Sequence, residues 1–315
     1  MPGAYAHITL VNLAKETVRL EDAGVPFEAI VALGKYFKFC EMGAVSPDYP
    51  YLDLRHAESK IWADLMHYDH TGDLLKKGIS LARDLGGRQQ EKIVAWLFGY
   101  AAHVVADVTI HPVVELRVGP YAANRKAHRV CELNQDAYIF QRLNLSEVGR
   151  SEHLDTGIGG CSESPGSKTL NKEVAHFWRQ MLSQCYPRQY ADNEPDIDAW
   201  HGGFKSAVDV AEEGHRMPLF ARHLAVNCGL TYPAPAHVDL SYIEKLATPE
   251  GPMHYDAIFD KALSNVVAMW ATMGKAVYQQ DATYAAAIKN WNLDTGMDSK
   301  GTYGYWNRKA ALIHA

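Results

Sequence analysis

The most apolar stretch of the chain, from Ile93 to Ile110, constrains its fold more than any other feature. Its 18 residues, IVAWLFGYAAHVVADVTI, are enough to cross a membrane. However, His103 and Asp107 lie inside the stretch, and ionisable groups at that depth are costly in lipid. We therefore expect a helix buried in a protein core and no transmembrane segment. Pro112, which follows, is expected to end or kink this helix.

Helical periodicity extends over most of the remaining sequence. Apolar residues recur at steps of three and four in segments 5–20, 27–39, 57–66, 74–85, 93–116, 123–143 and 255–289. Alternation with a period of two is scarce, and no Asn-Gly or Asp-Gly turn joins strand-like runs. The pattern predicts an all-α protein.

Composition and charge exclude several classes of protein. The 315 residues are 47% hydrophobic and 22% charged, which is not typical of disordered, collagen-like or coiled-coil chains. The net charge of −6 argues against binding nucleic acid by phosphate neutralisation, so no nucleic-acid partner is expected. Five cysteines without close pairs suggest neither a disulfide framework nor a cysteine zinc site. Because the sequence has no signal peptide, we expect a cytoplasmic protein or one exported by a non-Sec route.

Histidine is abundant, with 15 in the chain, and it is the commonest metal ligand. His103, Asp107 and His111 are spaced four residues apart, so they occupy an arc of about 80° on one helix face. Two interpretations fit this spacing. The three side chains bind a metal, or His103 and Asp107 form a buried hydrogen-bonded pair and His111 is unrelated.

Other polar residues around this segment have weaker patterns. His128 and Glu132 are spaced as i and i+4, which solvated surface helices also show. Asp48 lies in a proline-bounded turn, where turn chemistry alone would explain it. His67 and His7 lie among apolar residues, where a packed imidazole is the simpler interpretation.

Taken in chain order, these residues resemble the ligands of the zinc-dependent phospholipase C family. The matching words are AHITLVNLA, SPDYPYLD, MHYDH, HVVADVTIH and HRVCE, within roughly the first 135 residues. The same ligand order occurs in bacterial phosphatidylcholine-hydrolysing enzymes and, more distantly, in the single-strand zinc nucleases of fungi and plants.

The resemblance implies two to three zinc ions. It assigns the ligands in three sets: Asp48, His67, His103 and Asp107 to one ion, His111, His128 and Glu132 to a second, and Asp107, His7 and the amino-terminal residue to a third. Relatives begin with a tryptophan exposed by signal cleavage, whereas this chain begins Met1-Pro2, which leaves the third ion open. The resemblance also implies a multi-helix catalytic core with additional C-terminal helices. We expect residues 1–148 to form the metal-binding core and residues 149–315 to be a helical remainder packed on it as one compact unit.

The activity that the resemblance implies is phospholipase C-type hydrolysis. A metal-activated water would break the glycerol-side phosphodiester bond of a phospholipid at a membrane or micelle surface, and Asp48 would orient or deprotonate that water. Tyr49 and Asp64 occupy the positions of the choline pocket in the bacterial relatives, where the second position is otherwise aromatic. The oligomeric state is not implied.

Two alternatives remain. A single-strand-specific zinc nuclease would use the same chemistry, but the acidic charge and the lack of a basic, aromatic stripe count against it. A non-catalytic helical protein stabilised by zinc would more often have a closed, cysteine-rich, four-coordinate site.

Overall fold

The computed structural model describes residues 3–53, 56–143, 157–214 and 231–307. The prediction of an all-α fold is confirmed. The helices are α1 (Ala4–Ala14), α2 (Thr17–Asp22), α3 (Phe27–Lys35), α4 (Phe37–Gly43), α5 (Lys60–Tyr68), α6 (Thr71–Arg83), α7 (Gly87–Val118), α8 (Tyr121–Ile139), α9 (Lys172–Cys185), α10 (Pro187–Asp192), α11 (Ile197–Gly214), α12 (Tyr255–Tyr278) and α13 (Tyr284–Ala287). Short 3₁₀ segments are Ser46–Leu52, Ala57–Ser59, Phe140–Leu143, Gly159–Cys161, Pro235–His237 and Leu240–Tyr242.

Helix α7 is the centre of the molecule. All of its residues from Ile93 to Val114 are buried, and α1, α3, α4, α6, α8, α9 and α12 pack around it. Among the described helices, α7 is long and apolar enough to cross a membrane by length and composition, and its apolar stretch is buried within the protein. This burial agrees with the expected core helix.

Two glycines allow α4 to approach α7 closely. A Cβ atom on Gly43 would lie 2.1 Å from the carbonyl oxygen of Trp96, and one on Gly99 would lie 1.9 Å from that of Cys40. Only hydrogen atoms at these positions permit the backbones to touch. As a result, the carbonyl of Ala44, just beyond α4, lies 2.9 Å from the Nδ1 atom of His103 on α7.

Of the two expectations for Pro112, that it ends the helix or that it kinks it, the first is wrong, since α7 continues through it to Val118. Proline cannot donate a hydrogen bond to the carbonyl four residues earlier, so the helix needs other support there. The indole of Trp306 donates to the carbonyl of Thr109 at 2.9 Å, and a turn at Gly296 packs against the Pro112 ring. These contacts from the C-terminal part of the chain support the helix beyond the proline.

That C-terminal part contains the strands that the sequence did not predict. Strand β1 (Trp291–Asn292) pairs antiparallel with β2 (Met297–Asp298), and we call the segment Trp291–Asp298 the C-terminal hairpin. Each strand has two residues, too few for alternation to be visible in the sequence.

Some helix boundaries also differ from the predictions. The segment 5–20 divides into α1 and α2. In the segment 255–289, α12 ends at Tyr278, two residues before Gln280, whose positive φ is incompatible with a continuing right-handed helix. The expected domain boundary at residues 148 and 149 lies outside the described residues, so it remains a prediction.

Candidate metal centre

Asp107 on α7 is surrounded by histidines from three helices. Its Oδ1 atom lies 3.3 Å from Nε2 of His7 on α1. Its Oδ2 atom lies 3.2 Å from Nε2 of His103 and 3.9 Å from Nε2 of His67 on α5. The rings of His7 and His103 stack with their centroids 4.1 Å apart. All four side chains are buried.

Asp48 approaches the same cluster from the 3₁₀ segment Ser46–Leu52. Its Oδ1 atom lies 3.3 Å from Nε2 of His67 and 3.9 Å from Nε2 of His103, and these two nitrogens are 3.4 Å apart. The Asp48 side chain is 17% exposed, whereas those of His67, His103 and Asp107 have no exposed surface. Asp48 therefore lies on the side of the cluster that faces solvent.

These separations fit a zinc ion. Ligand atoms about 2.0–2.1 Å from a tetrahedral zinc lie about 3.3 Å from one another. The five recorded separations among Oδ1 of Asp48, Oδ2 of Asp107 and the two Nε2 atoms of His67 and His103 run from 3.2 to 3.9 Å. The structure thus brings together the four residues that the sequence assigns to one ion.

Backbone carbonyls identify the ring nitrogen that carries a proton in four histidines. A carbonyl oxygen only accepts, so the ring nitrogen that contacts it must carry the proton. The pairs are His67 Nδ1 with Ala63 (2.7 Å), His103 Nδ1 with Ala44 (2.9 Å), His111 Nδ1 with Leu293 (2.6 Å) and His128 Nε2 with Gly119 (2.7 Å). With the proton on that nitrogen, the other nitrogen of each ring is the one that can bind a metal, an orientation typical of metal-binding histidines.

Several buried atoms in this region have no hydrogen-bond partner. They are both ring nitrogens of His7, both carboxylate oxygens of Asp107, Oδ1 of Asp48, Nε2 of His111 and Nδ1 of His128. Buried polar atoms without partners are costly, and the close approaches around Asp107 are not aligned as hydrogen bonds. A metal ion gives these atoms partners, so the donor set fits zinc.

The electrostatics of the cluster favour a cation. Burial lowers the pKa of His103, but Asp107 and Asp48 outweigh it and raise that pKa to about 9. Burial would raise the pKa of Asp107, yet His103 and His111 hold it well below its usual value. Burial lowers the pKa of His111 and, together with His103, that of His7. His7 and His111 are thus neutral, as metal binding requires.

The second predicted ligand set is less compact. Among the described residues, sets with ligand atoms within 4.8 Å of one another occur twice, as His7 with His103 and Asp107, and as Asp48 with His67 and His103. His111, His128 and Glu132 are buried but do not form such a set. The pKa of His111 responds to both Asp107 and His128, so these groups are electrostatic neighbours. The assignment of a second ion to them remains a prediction.

A cavity of about 600 Å³ lies beside the cluster, and Asp64 is one of its lining residues. Three tyrosines that the sequence analysis missed also line it. The ring of Tyr51 lies 5.7 Å from that of His67, Tyr68 follows His67 in the chain, and the ring of Tyr121 lies 5.3 Å from that of His128. The sequence feature that could have identified Tyr51 and Tyr68 is their position within three residues of the proposed ligands Asp48 and His67.

Each carboxylate of the cavity is held by a tyrosine. Asp64 accepts a hydrogen bond from Tyr51 Oη at 2.8 Å, and Asp294 accepts one from Tyr68 Oη at 2.9 Å. Asp294 is 226 residues from Tyr68, so no local sequence pattern connects it to the site.

Tyr49 lies elsewhere. Its ring is fully buried and stacks on Phe204 at 4.9 Å, with Trp178 and His201 as further neighbours. It does not line the cavity, and its predicted role in binding a substrate remains untested.

The helical fold and the convergent histidine and aspartate ligands define a candidate zinc-dependent hydrolase. A family model described as zinc dependent phospholipase C matches residues 6–187, which is more than half of the chain. The protein belongs to the zinc-dependent phospholipase C family. No curated protein and no solved structure matches the chain. Membership supports a phospholipase C-type hydrolase with zinc as its metal and a phospholipid as its substrate.

Proposed function

We propose that the protein is a zinc-dependent phosphodiesterase that hydrolyses the glycerol-side phosphodiester bond of phospholipids. The observation that carries the proposal is the spacing of Asp48, His67, His103 and Asp107, with one aspartate facing solvent and a cavity beside the cluster. A ligand set of carboxylates and imidazoles without cysteine is less typical of a structural zinc site, which is most often cysteine-rich.

Two to three zinc ions are proposed, as the ligand order implies. Asp48, His67, His103 and Asp107 would hold one, His111, His128 and Glu132 a second, and His7 with Asp107 would contribute to a third. Because Nδ1 of His103 is bound to Ala44, its Nε2 atom serves only one ion. Both carboxylate oxygens of Asp107 lack a hydrogen-bond partner, and each lies next to a different histidine, so this residue would be a ligand in both sets.

In this site bound zinc lowers the pKa of water and stabilises the negative charge that develops at phosphorus. The side chains of the protein would orient the water, accept its proton and line the space for the substrate. Asp48 would orient the attacking water and accept its proton, because its side chain, unlike those of His67, His103 and Asp107, reaches solvent. The water oxygen bonds to phosphorus while the bond from phosphorus to the glycerol oxygen breaks, and that oxygen takes up a proton from solvent, which gives diacylglycerol and a phosphorylated head group. Tyr51, Tyr68 and Tyr121 line the space next to the ligands where the head group would bind.

The experiment that tests this function compares substrates and variants. The zinc-loaded protein should hydrolyse short-chain phospholipids faster than single-stranded DNA. Asp107→Asn should abolish that hydrolysis, because it keeps the shape but removes a charged ligand. His176→Ala, on the exposed face of α9, is the matched control and should retain wild-type kcat/KM.

Three outcomes would contradict the proposal. Faster cleavage of single-stranded DNA than of any lipid would favour the nuclease. Zinc binding that stabilises the protein without any hydrolysis would favour a structural role. Equal losses in Asp107→Asn and His176→Ala would mean that the histidines support folding and not catalysis.

A further inference from the structure

The C-terminal hairpin contacts two of the proposed zinc ligands through one residue. The amide of Leu293 donates to the carbonyl of His67 at 2.9 Å, and the carbonyl of Leu293 accepts from Nδ1 of His111 at 2.6 Å. Leu293 itself is fully buried. The hairpin lies outside residues 6–187, which the family model matches. Residues far beyond the matched region therefore form part of the site wall.

The residue that follows, Asp294, is held facing the cavity. Oδ1 of Asn292 accepts from the amides of Asp294 and Thr295 at 3.0 and 3.1 Å, which closes the turn of the hairpin. The Asp294 side chain is 15% exposed and lines the cavity with the three tyrosines. Its Oδ2 atom accepts from Tyr68 Oη at 2.9 Å, and its Oδ1 atom lies 4.0 Å from Nδ1 of His111.

The two carboxylates of the cavity differ in their charge partners. Asp64 forms an ion pair with Lys60 at 3.2 Å, on an exposed part of the wall. Within the described part of the chain, no lysine or arginine pairs with Asp294, and the nitrogen that approaches it, Nδ1 of His111 at 4.0 Å, already donates to the carbonyl of Leu293. Lys60 and Arg125 also line the cavity, but among the described residues neither forms an ion pair with Asp294. A carboxylate oriented by a tyrosine and not paired with a basic side chain is suited to accept a cation from a ligand.

We propose that Asp294 is a specificity-determining residue that binds the positively charged amine of a phospholipid head group. The inference rests on the proposed function, because the phosphate of the substrate would lie at the ligand cluster. Oδ1 of Asp294 lies 4.0 Å from Nδ1 of His111, one of the proposed ligands. An amine two carbons from a phosphate bound at the ligands would therefore lie near the Asp294 carboxylate. The rings of Tyr51, Tyr68 and Tyr121 add faces that attract the same cation.

The test compares two lipids that differ in the charge of the head group. Phosphatidylethanolamine carries an ammonium group, and phosphatidylglycerol carries an uncharged glycerol group. In neutral detergent micelles, Asp294→Asn should lower kcat/KM for phosphatidylethanolamine about tenfold or more, which is the usual effect of losing a hydrogen bond to a charged group. Its kcat/KM for phosphatidylglycerol should change less than about threefold, since asparagine keeps the acceptor for Tyr68.

Two further measurements separate binding from catalysis and from surface charge. Calorimetry should show that Asp294→Asn weakens binding of phosphoethanolamine about tenfold or more while binding of inorganic phosphate is unchanged. Asp84→Asn, an exposed residue that follows α6, removes the same charge away from the cavity and should leave both lipids unaffected.

The outcomes distinguish this inference from the function on which it rests. If the wild type hydrolyses neither lipid, the proposed function fails. If it hydrolyses both and Asp294→Asn leaves their kcat/KM ratio unchanged, the function stands and the role of Asp294 is refuted. A ratio that changes equally in Asp84→Asn also refutes it, because the effect is then one of overall charge.

Discussion

Replacing Gly296 with alanine should displace the C-terminal hairpin from the metal centre. Gly296 has a φ of +68°, a conformation that costs an L-amino acid about 1 kcal/mol. A Cβ atom there would lie 2.4 Å from the carbonyl oxygen of Val108 and 2.5 Å from Cγ of Pro112, both in the body of α7. Neither atom is the end of a flexible side chain, so the hairpin must move away from the helix.

The size of the effect follows from the contacts that this movement breaks. The hydrogen bond from His111 to the Leu293 carbonyl contributes about 0.5–1.5 kcal/mol. Together with the backbone cost, Gly296→Ala should lower the free energy of unfolding by about 1.5–2.5 kcal/mol. Because the same carbonyl fixes the orientation of His111, zinc affinity or kcat/KM should fall about 10–100-fold.

Gly301→Ala is the matched control. Gly301 has a φ of +69°, and a Cβ atom there meets no atom within 4 Å. This variant should therefore lose only about 1 kcal/mol of stability and keep wild-type activity. The assays are urea unfolding, zinc titration against a competing chelator, and hydrolysis of a short-chain phospholipid. Equal losses in the two variants, or full activity in Gly296→Ala, would refute the account of the hairpin.

Three other changes give measurable outcomes. Removing zinc with a chelator should lower the melting temperature in a scanning calorimeter, because a ligand that binds only the folded state stabilises it; an unchanged melting temperature would contradict a bound metal. Asp64→Phe should raise the kcat/KM ratio of phosphatidylcholine to phosphatidylethanolamine, since an aromatic face favours a quaternary ammonium by about 0.5–2 kcal/mol; an unchanged ratio would place Asp64 away from the head group. Burial raises the pKa of Asp136 to about 7 against the hydrogen bonds from Ala6 and Tyr5, so the folded state retains a proton that the unfolded state loses. The stability of the metal-free protein should therefore fall between about pH 4 and pH 7 relative to Asp136→Asn, by at most about 1.4 kcal/mol per pH unit in urea unfolding, and a rise over that window would contradict the shift.

The helical character and the shared helix face of His103 and Asp107 were predictable because both depend on local spacing. The four-residue interval between His103 and Asp107 places both on one face of any helix, whatever surrounds it. The burial of α7 followed from its apolar length. The prediction that His67 and Asp48 lie next to this helix face came from the family resemblance, because local spacing does not show which separate segments come together.

The cavity wall was not predictable, because it depends on tertiary contacts over long sequence distances. Asp294 and Leu293 reach the site only because a two-residue strand pair turns back on α7 at Gly296. Likewise, the continuation of α7 through Pro112 was not predictable, because part of the support for the helix there comes from Trp306, nearly 200 residues later in the chain. Sequence spacing carries no information on such contacts.

The central claim is that this chain cleaves a phospholipid on the glycerol side of its phosphodiester bond. The most direct test is ³¹P NMR of the products formed by the zinc-loaded protein in water enriched with ¹⁸O. The account predicts a phosphorylated head group whose phosphomonoester carries the ¹⁸O label, together with diacylglycerol. Phosphatidic acid with a free head group, or a phosphomonoester without the label, would contradict it.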